Sequence, residues 1–237
     1  MPISSRTLFH FMPEKEFLRM ALEEGLWPRY NIERIGARNL AIPMLSFCDI
    51  PLSQIKDHIG KYGCYGIGVT KKFARNHKIT PVIYLEHKSK MLNKLENYLR
   101  NIIVNPSNSF RDIDFREFLL YYAKIYNGKG EAGNIIKFYD EREWRFVPEI
   151  SEKVQMHVSD DEFSEDDKNN LSLLTESCKI KLDAEDIEYI FVKDNSDIHE
   201  VVSWIDKVFS TVSKANKKVI NLLKSRILTV KQIREDF

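Results

Sequence analysis

The amino-acid sequence predicts an α+β fold: a mixed, largely antiparallel sheet core with an inserted helical pair. Three observations lead there. Short strand-like apolar segments alternate with amphipathic helical segments along the chain. Two helical patterns follow one another mid-chain, at 88–103 and 112–126. The 237 residues, 43% hydrophobic and 11% aromatic, hold enough apolar matter for one well-buried core and lie far from the composition of disordered chains. A single domain over 1–237 is expected, with a helical insertion at about 88–126 and an acidic loop at about 159–168.

The elements follow in order. Residues 6–11 (RTLFHF) read as a buried strand. Pro13 suits the opening of a helix with acids at 14 and 16, an apolar face of Phe17, Leu18, Ala21, Leu22 and Leu26, and Gly25 as its stop. Residues 42–48 form a second strand, after which Asp49 caps and Pro51 opens a short helix that carries Leu52, Ile55 and Ile59 and closes at Gly60. In 62–70, Tyr65, Ile67 and Val69 alternate with Cys64, Gly66, Gly68 and Thr70, so one strand face is almost bare. Either a ligand or a neighbouring backbone comes close there. Thr70 caps a turn that leads to a strand at 79–85.

The inserted helices show the spacings Met91, Leu92, Leu95, Leu99 and Phe115, Phe118, Leu119, Tyr122. A glycine-rich loop at 127–133 ends the insertion, and a strand pattern resumes at 134–148. The run SDDEFSEDDK at 159–168 breaks the apolar period and reads as a solvated connection. Strands at 178–182 and 187–193 follow, then a helix at 197–210 that buries Ile198, Val201, Val202, Ile205 and Phe209.

Charge and motif content exclude several functions. Lys+Arg of 36 against Asp+Glu of 35 gives a net charge of +1, so no global field gathers a polyanion. The local cationic concentration is C-terminal, at Lys214, Lys217, Lys218, Lys224, Arg226, Lys231 and Arg234. It is either a solvated helix face or a nucleic-acid groove. No apolar run approaches bilayer length and the start MPISSRTLFHF lacks an apolar signal core, so a cytoplasmic protein without a membrane partner is expected. Cys48, Cys64 and Cys178 lack CxxC spacing, which leaves them as packing residues. Without HExxH, GxGxxG, a Walker lysine or GxSxG, neither metal nor a Rossmann or P-loop nucleotide site is expected.

The most informative stretch is YDEREWRFVP at 139–148. As a strand it puts Glu141, Glu143 and Arg145 on one face and Arg142, Trp144 and Phe146 on the other. The second set reads as core, with Arg142 reaching outward. The first places two carboxylates beside a guanidinium that keeps them ionised, an arrangement suited to stabilising a developing cation or, alternatively, to a salt-laced edge strand. His10, in LFHF, is either a core histidine or a group that fixes a substrate hydroxyl and meets Glu143 across a cleft.

The succession LFHFM at 8–12, EEGLWPRY at 23–30, IPMLSFCDIPLSQIKDHI at 42–59, YGCYGIGVTKKFA at 62–74, ITPVIYL at 79–85 and EREWRFVP at 141–148 resembles the AbiGi family of bacterial abortive-infection proteins implicated in phage resistance. The resemblance is dense from residue 5 to about 150. It implies an antitoxin paired with a nucleotidyltransferase-like toxin of the same operon. The layout also resembles ADP-ribosyltransferase-like folds of the histidine-first type. That likeness implies NAD as co-substrate, a macromolecular acceptor and no metal. His10 would then hold the ribose, Ser46 would stand on the middle strand, Tyr65 would stack on the nicotinamide, Glu143 would polarise the ribose 2′-hydroxyl and Glu141 would orient the acceptor. Phe11 and Met12 depart from the small residue that usually follows such a histidine. Two functions are therefore expected in competition: an NAD-cleaving transferase that halts the infected cell, and a non-enzymatic antitoxin that binds a toxin.

Overall fold

The computed structural model describes residues 5–104, 115–129, 135–210 and 216–236. In chain order the elements are β1 (Thr7–Met12), α1 (Lys15–Glu24), β2 (Arg29–Ile35), β3 (Arg38–Cys48), α2 (Lys56–Tyr62), β4 (Tyr65–Thr70), α3 (Lys71–Asn76), β5 (Thr80–Pro81), β6 (Ile83–Leu85), α4 (Lys90–Val104) and α5 (Phe115–Tyr122). There follow β7 (Ala123–Ile125), β8 (Gly128–Lys129), β9 (Ile135–Ile136), β10 (Glu143–Phe146), β11 (His157–Ser159), α6 (Glu165–Leu173), β12 (Ile187–Val192), α7 (Ile198–Ile205), α8 (Lys217–Lys224), β13 (Ile227–Thr229) and α9 (Val230–Asp236). The class is α+β with mostly antiparallel strand pairing, as expected. The chain gathers into two compact units, one formed by 1–27, 46–79 and 179–237, the other by 28–45 and 80–178.

In the first unit the strands run in the order β13-β12-β4-β1, and β1 meets the end of β3 through Phe9 and Cys48. All of these pairs are antiparallel except β12 with β13. Phe9, Cys48, Ile50, Ile55, Ile59, Phe191, Val230 and Ile233 form one continuous core. The helix α1 buries Leu18, Ala21 and Leu22 at the expected spacing and stops at Gly25, whose φ of 104° lies in the left-handed region.

The bare face of β4 is explained by its neighbour. Gly66 and Gly68 pair with Phe11 and Phe9 of β1. A Cβ on Gly66 would lie 2.8 Å from the His10 carbonyl oxygen, and one on Gly68 would lie 2.8 Å from Thr7 Cγ2 and 3.0 Å from Phe9 Cε1. Close internal packing, not an approaching ligand, therefore requires these glycines.

In the second unit β2 and β3 form a hairpin paired from Arg29 with Met44 to Ile35 with Arg38, turned at Gly36 with φ 62°. β11 pairs with the same strand, His157 opposite Ala41. β10 pairs antiparallel with β5, and β6 pairs parallel with β7. Leu92, Leu95 and Leu99 of α4 share a core with Leu120 and Tyr121 of α5 and with Ile35, Leu40 and Ile42 of the hairpin.

Several expectations need correction. The strand β2 is not signalled by apolar alternation, because charged residues interrupt it at both ends. The helix α2 runs through Gly60 to Tyr62, and Gly63 with φ 121° ends it. Asp49 is not a cap: its carboxylate accepts from Ser5 N at 2.9 Å and from Lys71 Nζ at 2.6 Å. The 79–85 segment is two short strands, and the second inserted helix ends at Tyr122, where β7 begins. The 127–133 loop lies partly outside the described residues, as does Lys214. The end of the acidic segment, from Glu165, is helix, because Ser164 and Asp167 form a reciprocal capping box that starts α6. The 178–182 strand is a single bridge between Leu26 and Ile180, and the 197–210 helix finishes in a π-turn over Asp206–Ser210. The basic tail contains a strand, β13, as well as helices.

Gly66→Ala is expected to destabilise the protein by about 1–3 kcal/mol, since the clash is with backbone. Gly60→Ala, at an exposed helical site with nothing within 4 Å, should stabilise it by about 0.5–1 kcal/mol. Urea unfolding of the two variants checks both signs.

Candidate functional site

The 139–148 segment is not one strand. A 3₁₀ turn at Phe138–Glu141 closes on Arg142, which is left-handed at φ 45°, and β10 begins only at Glu143. The burial of its two faces is also the reverse of the expectation. Glu141, Glu143 and Arg145 are buried, whereas Arg142, Trp144 and Phe146 are half-exposed. Apolarity alone would turn Trp144 and Phe146 inward. The charged face wins because every charge on it finds a partner inside the second unit.

Arg145 stands at the centre with its side chain fully buried. Its Nε donates to Glu143 Oε1 at 2.6 Å, Nη2 donates to Glu33 Oε1 from β2, and Nη1 donates to the carbonyls of Tyr121 and Ala123 at 3.0 and 3.4 Å. Those carbonyls lie at the C-terminal end of α5, where helical carbonyls lack intrahelical partners, so the guanidinium caps the helix and opposes its dipole. Lys124 of β7 completes the cluster. Its Nζ reaches Glu143 Oε2 at 2.5 Å, Glu141 Oε2 at 3.0 Å and Glu33 Oε1 at 3.9 Å, and it lies over the Phe138 ring at 5.2 Å. The Glu143 backbone N–H donates to the Tyr84 hydroxyl at 2.8 Å.

Three carboxylates thus face two cations, and the carboxylates do not behave alike. Burial pushes Glu143 up, but the attraction of Arg145 and Lys124 and their hydrogen bonds outweigh it and hold the carboxyl at about 2. In Glu33 burial dominates over the same two cations, and the Glu143 and Glu141 charges add to it, so its pKa is raised. The neighbouring carboxylates raise Lys124 and Arg145 against the effect of burial. Burial pushes Tyr84 up to about 12.

The remaining expected residues belong to the first unit. His10 is half-buried beside Phe47, at a ring separation of 5.5 Å, and its Nδ1–H donates to the Ser46 carbonyl at 2.8 Å. Burial lowers its pKa, against the raising effect of that hydrogen bond, so the ring is neutral at pH 7 with Nε2 left as an acceptor. The Tyr65 hydroxyl donates to Asp197 at 3.1 Å, and Lys15 pairs with Asp197 and Glu200. Its pKa rises to about 12 through burial and then the Asp197 charge. The structure therefore brings His10 to the backbone of Ser46, and Glu141 to Glu143 through Lys124. Tyr65 is buried in a separate network of its own unit.

Sequence reasoning missed Glu33, Tyr84 and Lys124. A signal for Lys124 was available: it is a lone cation inside the apolar run FLLYYAKIY, where an unpaired lysine would be costly. Glu33 offered none, since it lies far away in sequence on a strand of mixed polarity.

A family model described as "Putative abortive phage resistance protein AbiGi, antitoxin" matches residues 16–193. The chain belongs to the AbiGi family. The matched span includes the whole ionic cluster and both Ser46 and Tyr65, and begins after His10. The chain is also 29% identical to the abortive phage resistance protein AbiGi of Lactococcus lactis subsp. cremoris, over 89% of this chain and 98% of that protein. No solved structure matches it. Phage resistance is thus the character of the family, and the described residues include no helix long and apolar enough to cross a membrane.

Removing the central cation of this AbiGi cluster should be severe. Arg145→Met leaves the buried Glu143 and the half-buried Glu33 short of a partner and uncaps α5, with an expected loss of about 3–5 kcal/mol in urea unfolding. The pH dependence separates Glu33 from Glu143. Glu143, depressed to about 2, contributes stability that is present above its ordinary value of 4.5 and is lost as pH falls toward 2. Glu33 is raised, so it takes its proton more readily folded than unfolded, and its ionisation reduces stability as pH rises above 4.5. Glu33→Gln should therefore be more stable relative to the parent at pH 7 than at pH 5, a difference that unfolding at the two pH values measures.

Proposed function

We propose that this AbiGi-family chain acts in phage resistance as an antitoxin that binds a protein toxin, without chemistry of its own. The observation that carries this reading is the outward face of α5. Phe115 is 72% exposed and Phe118 45% exposed, one turn apart, and Tyr122 continues the same face with its ring 5.4 Å from Phe118. On its other side Leu120 and Tyr121 are fully buried, and Arg145 clamps the helix end. Exposed aromatic side chains on a rigidly anchored helix suit the anchoring of a protein partner, because they bury much area on binding and lose little side-chain freedom. The antitoxin description of the family model agrees with it.

ADP-ribosyl transfer is the competing reading, and it rests on Glu143, Glu141 and His10. In it Glu143 would meet a ribose hydroxyl, yet each of its oxygens already accepts from a cation, Oε1 from Arg145 and Oε2 from Lys124. Its charge supports the fold around α5. Releasing it for catalysis would leave both cations buried and under-compensated.

Expression of the chain alone, and together with a toxin encoded beside it, separates the two. The antitoxin reading expects normal growth alone, relief of toxin-induced arrest on co-expression, and co-purification of the pair. Growth arrest by the chain alone, or nicotinamide release from labelled NAD by the purified protein, would establish the transferase instead. Phe115→Ala with Phe118→Ala should weaken toxin binding about tenfold to a hundredfold while the melting temperature stays unchanged, as measured by calorimetry and thermal unfolding.

A further inference from the structure

The first unit contains a cavity that neither the ionic cluster nor the α5 face uses. β12 and β13 run parallel, with Val192 opposite Thr229, and the chain leaves them at Lys193 and Val230. β4 lies antiparallel to β12, with Gly66 opposite Phe191, so Cys64, just before β4, arrives at the same end. These ends border an open crevice of about 370 Å³ lined by Cys64, Lys193, Asp194, Val230, Lys231, Arg234 and Glu235. Where parallel strands end and the chain turns away into helices, a crevice is left beyond their carboxyl ends, and this is where open α/β sheets receive ligands.

The lining is chemically divided. Val230 is buried in the core of the unit and Cys64 packs against that core, giving an apolar floor. Lys193, Lys231 and Arg234 form a cationic rim, with Lys231 and Arg234 one turn apart on α9. None of these three side chains has an ion pair or hydrogen bond among the described residues. Of the two carboxylates on the rim, Asp194 is turned into its own loop, accepting from Ser196 N at 2.9 Å and Ser196 Oγ at 2.5 Å. The charges of Lys193 and Lys231 still act on Asp194, and with Glu235 the rim sets three cations against two carboxylates, which leaves a net charge of one positive for an anion.

We propose that this crevice binds a nucleoside phosphate, with the flat base on the Val230 and Cys64 floor and the phosphate between Lys193, Lys231 and Arg234. The volume falls at the lower end of small-ligand sites, which suits a mononucleotide. An apolar floor with a cationic rim requires a ligand that joins an apolar ring to an anionic group, which neither a free nucleoside nor inorganic phosphate does. The site is independent of the toxin-binding reading and stands whether or not that reading holds.

Titration calorimetry of the full chain with AMP, adenosine and inorganic phosphate tests it, together with the rate of Cys64 alkylation by iodoacetamide followed by peptide mass spectrometry. AMP is expected to bind at least about tenfold more tightly than adenosine or phosphate, to weaken as salt rises, and to slow alkylation of Cys64 but not of Cys178. Lys231→Gln with Arg234→Gln should weaken AMP binding about tenfold or more with unchanged circular dichroism. Should that variant not fold, Lys193→Gln and the Cys64 protection in the parent protein decide the matter. No AMP binding at millimolar concentration, adenosine or phosphate binding as tightly as AMP, or Cys64 alkylation unaffected by AMP would overturn the proposal.

Discussion

A fully buried guanidinium must be satisfied on all sides, and the second unit is organised around doing that for Arg145. Glu143 neutralises it from the same strand, Glu33 from the β2–β3 hairpin, and the carbonyls of Tyr121 and Ala123 accept its remaining protons from the end of α5. Its own strand, the β2–β3 hairpin and the end of α5 are thereby tied to one planar group whose donors have fixed directions. Lys124 then prevents the two carboxylates of the 141–143 segment from repelling one another. The position of α5, and with it the direction of Phe115 and Phe118, depends on this cluster.

The first unit is held by a different constraint, a close approach of backbones. β4 lies against β1 so tightly that a Cβ at 66 would meet the His10 carbonyl and one at 68 the side chains of Thr7 and Phe9, in the register that sets His10 opposite Ile67. Phe9 then stacks edge-on against Phe191 at 5.5 Å, tying β1 into the core that also holds Val230. The crevice beyond β12 and β13 follows from the same packing, because it forms where three paired strands end together.

Both constraints bear on function in an AbiGi protein. Carboxylates beside an arginine on a strand suggest an active centre when read as a list of residue types. In the folded unit the same groups are paired with one another, and the exposed Phe115 and Phe118 lie on the helix whose end they hold. A charge cluster that looks catalytic in one dimension thus holds the end of α5 in three.

Much of the fold was legible from local patterning. β1, α1 with its Gly25 stop, α4 and β12 all follow from apolar period, caps and glycine placement, because these signals act over a few neighbouring residues, whereas the turn expected after Thr70 is the helix α3. The pairing of Glu141 with Glu143 was legible for the same reason. What local pattern could not reveal was which side of 141–146 faces inward, since the answer lies with Lys124 and Glu33, far along the chain. Nor could it tell whether the bare face of β4 admits a ligand or the Phe9 and Phe11 strand. The sequence by itself determined the α+β class, the family and the approximate places of α1 and α4. Only the tertiary structure decided that the charged face is core and the glycine face is packed, because burial of a charge or an approach of two backbones depends on partners brought together by folding.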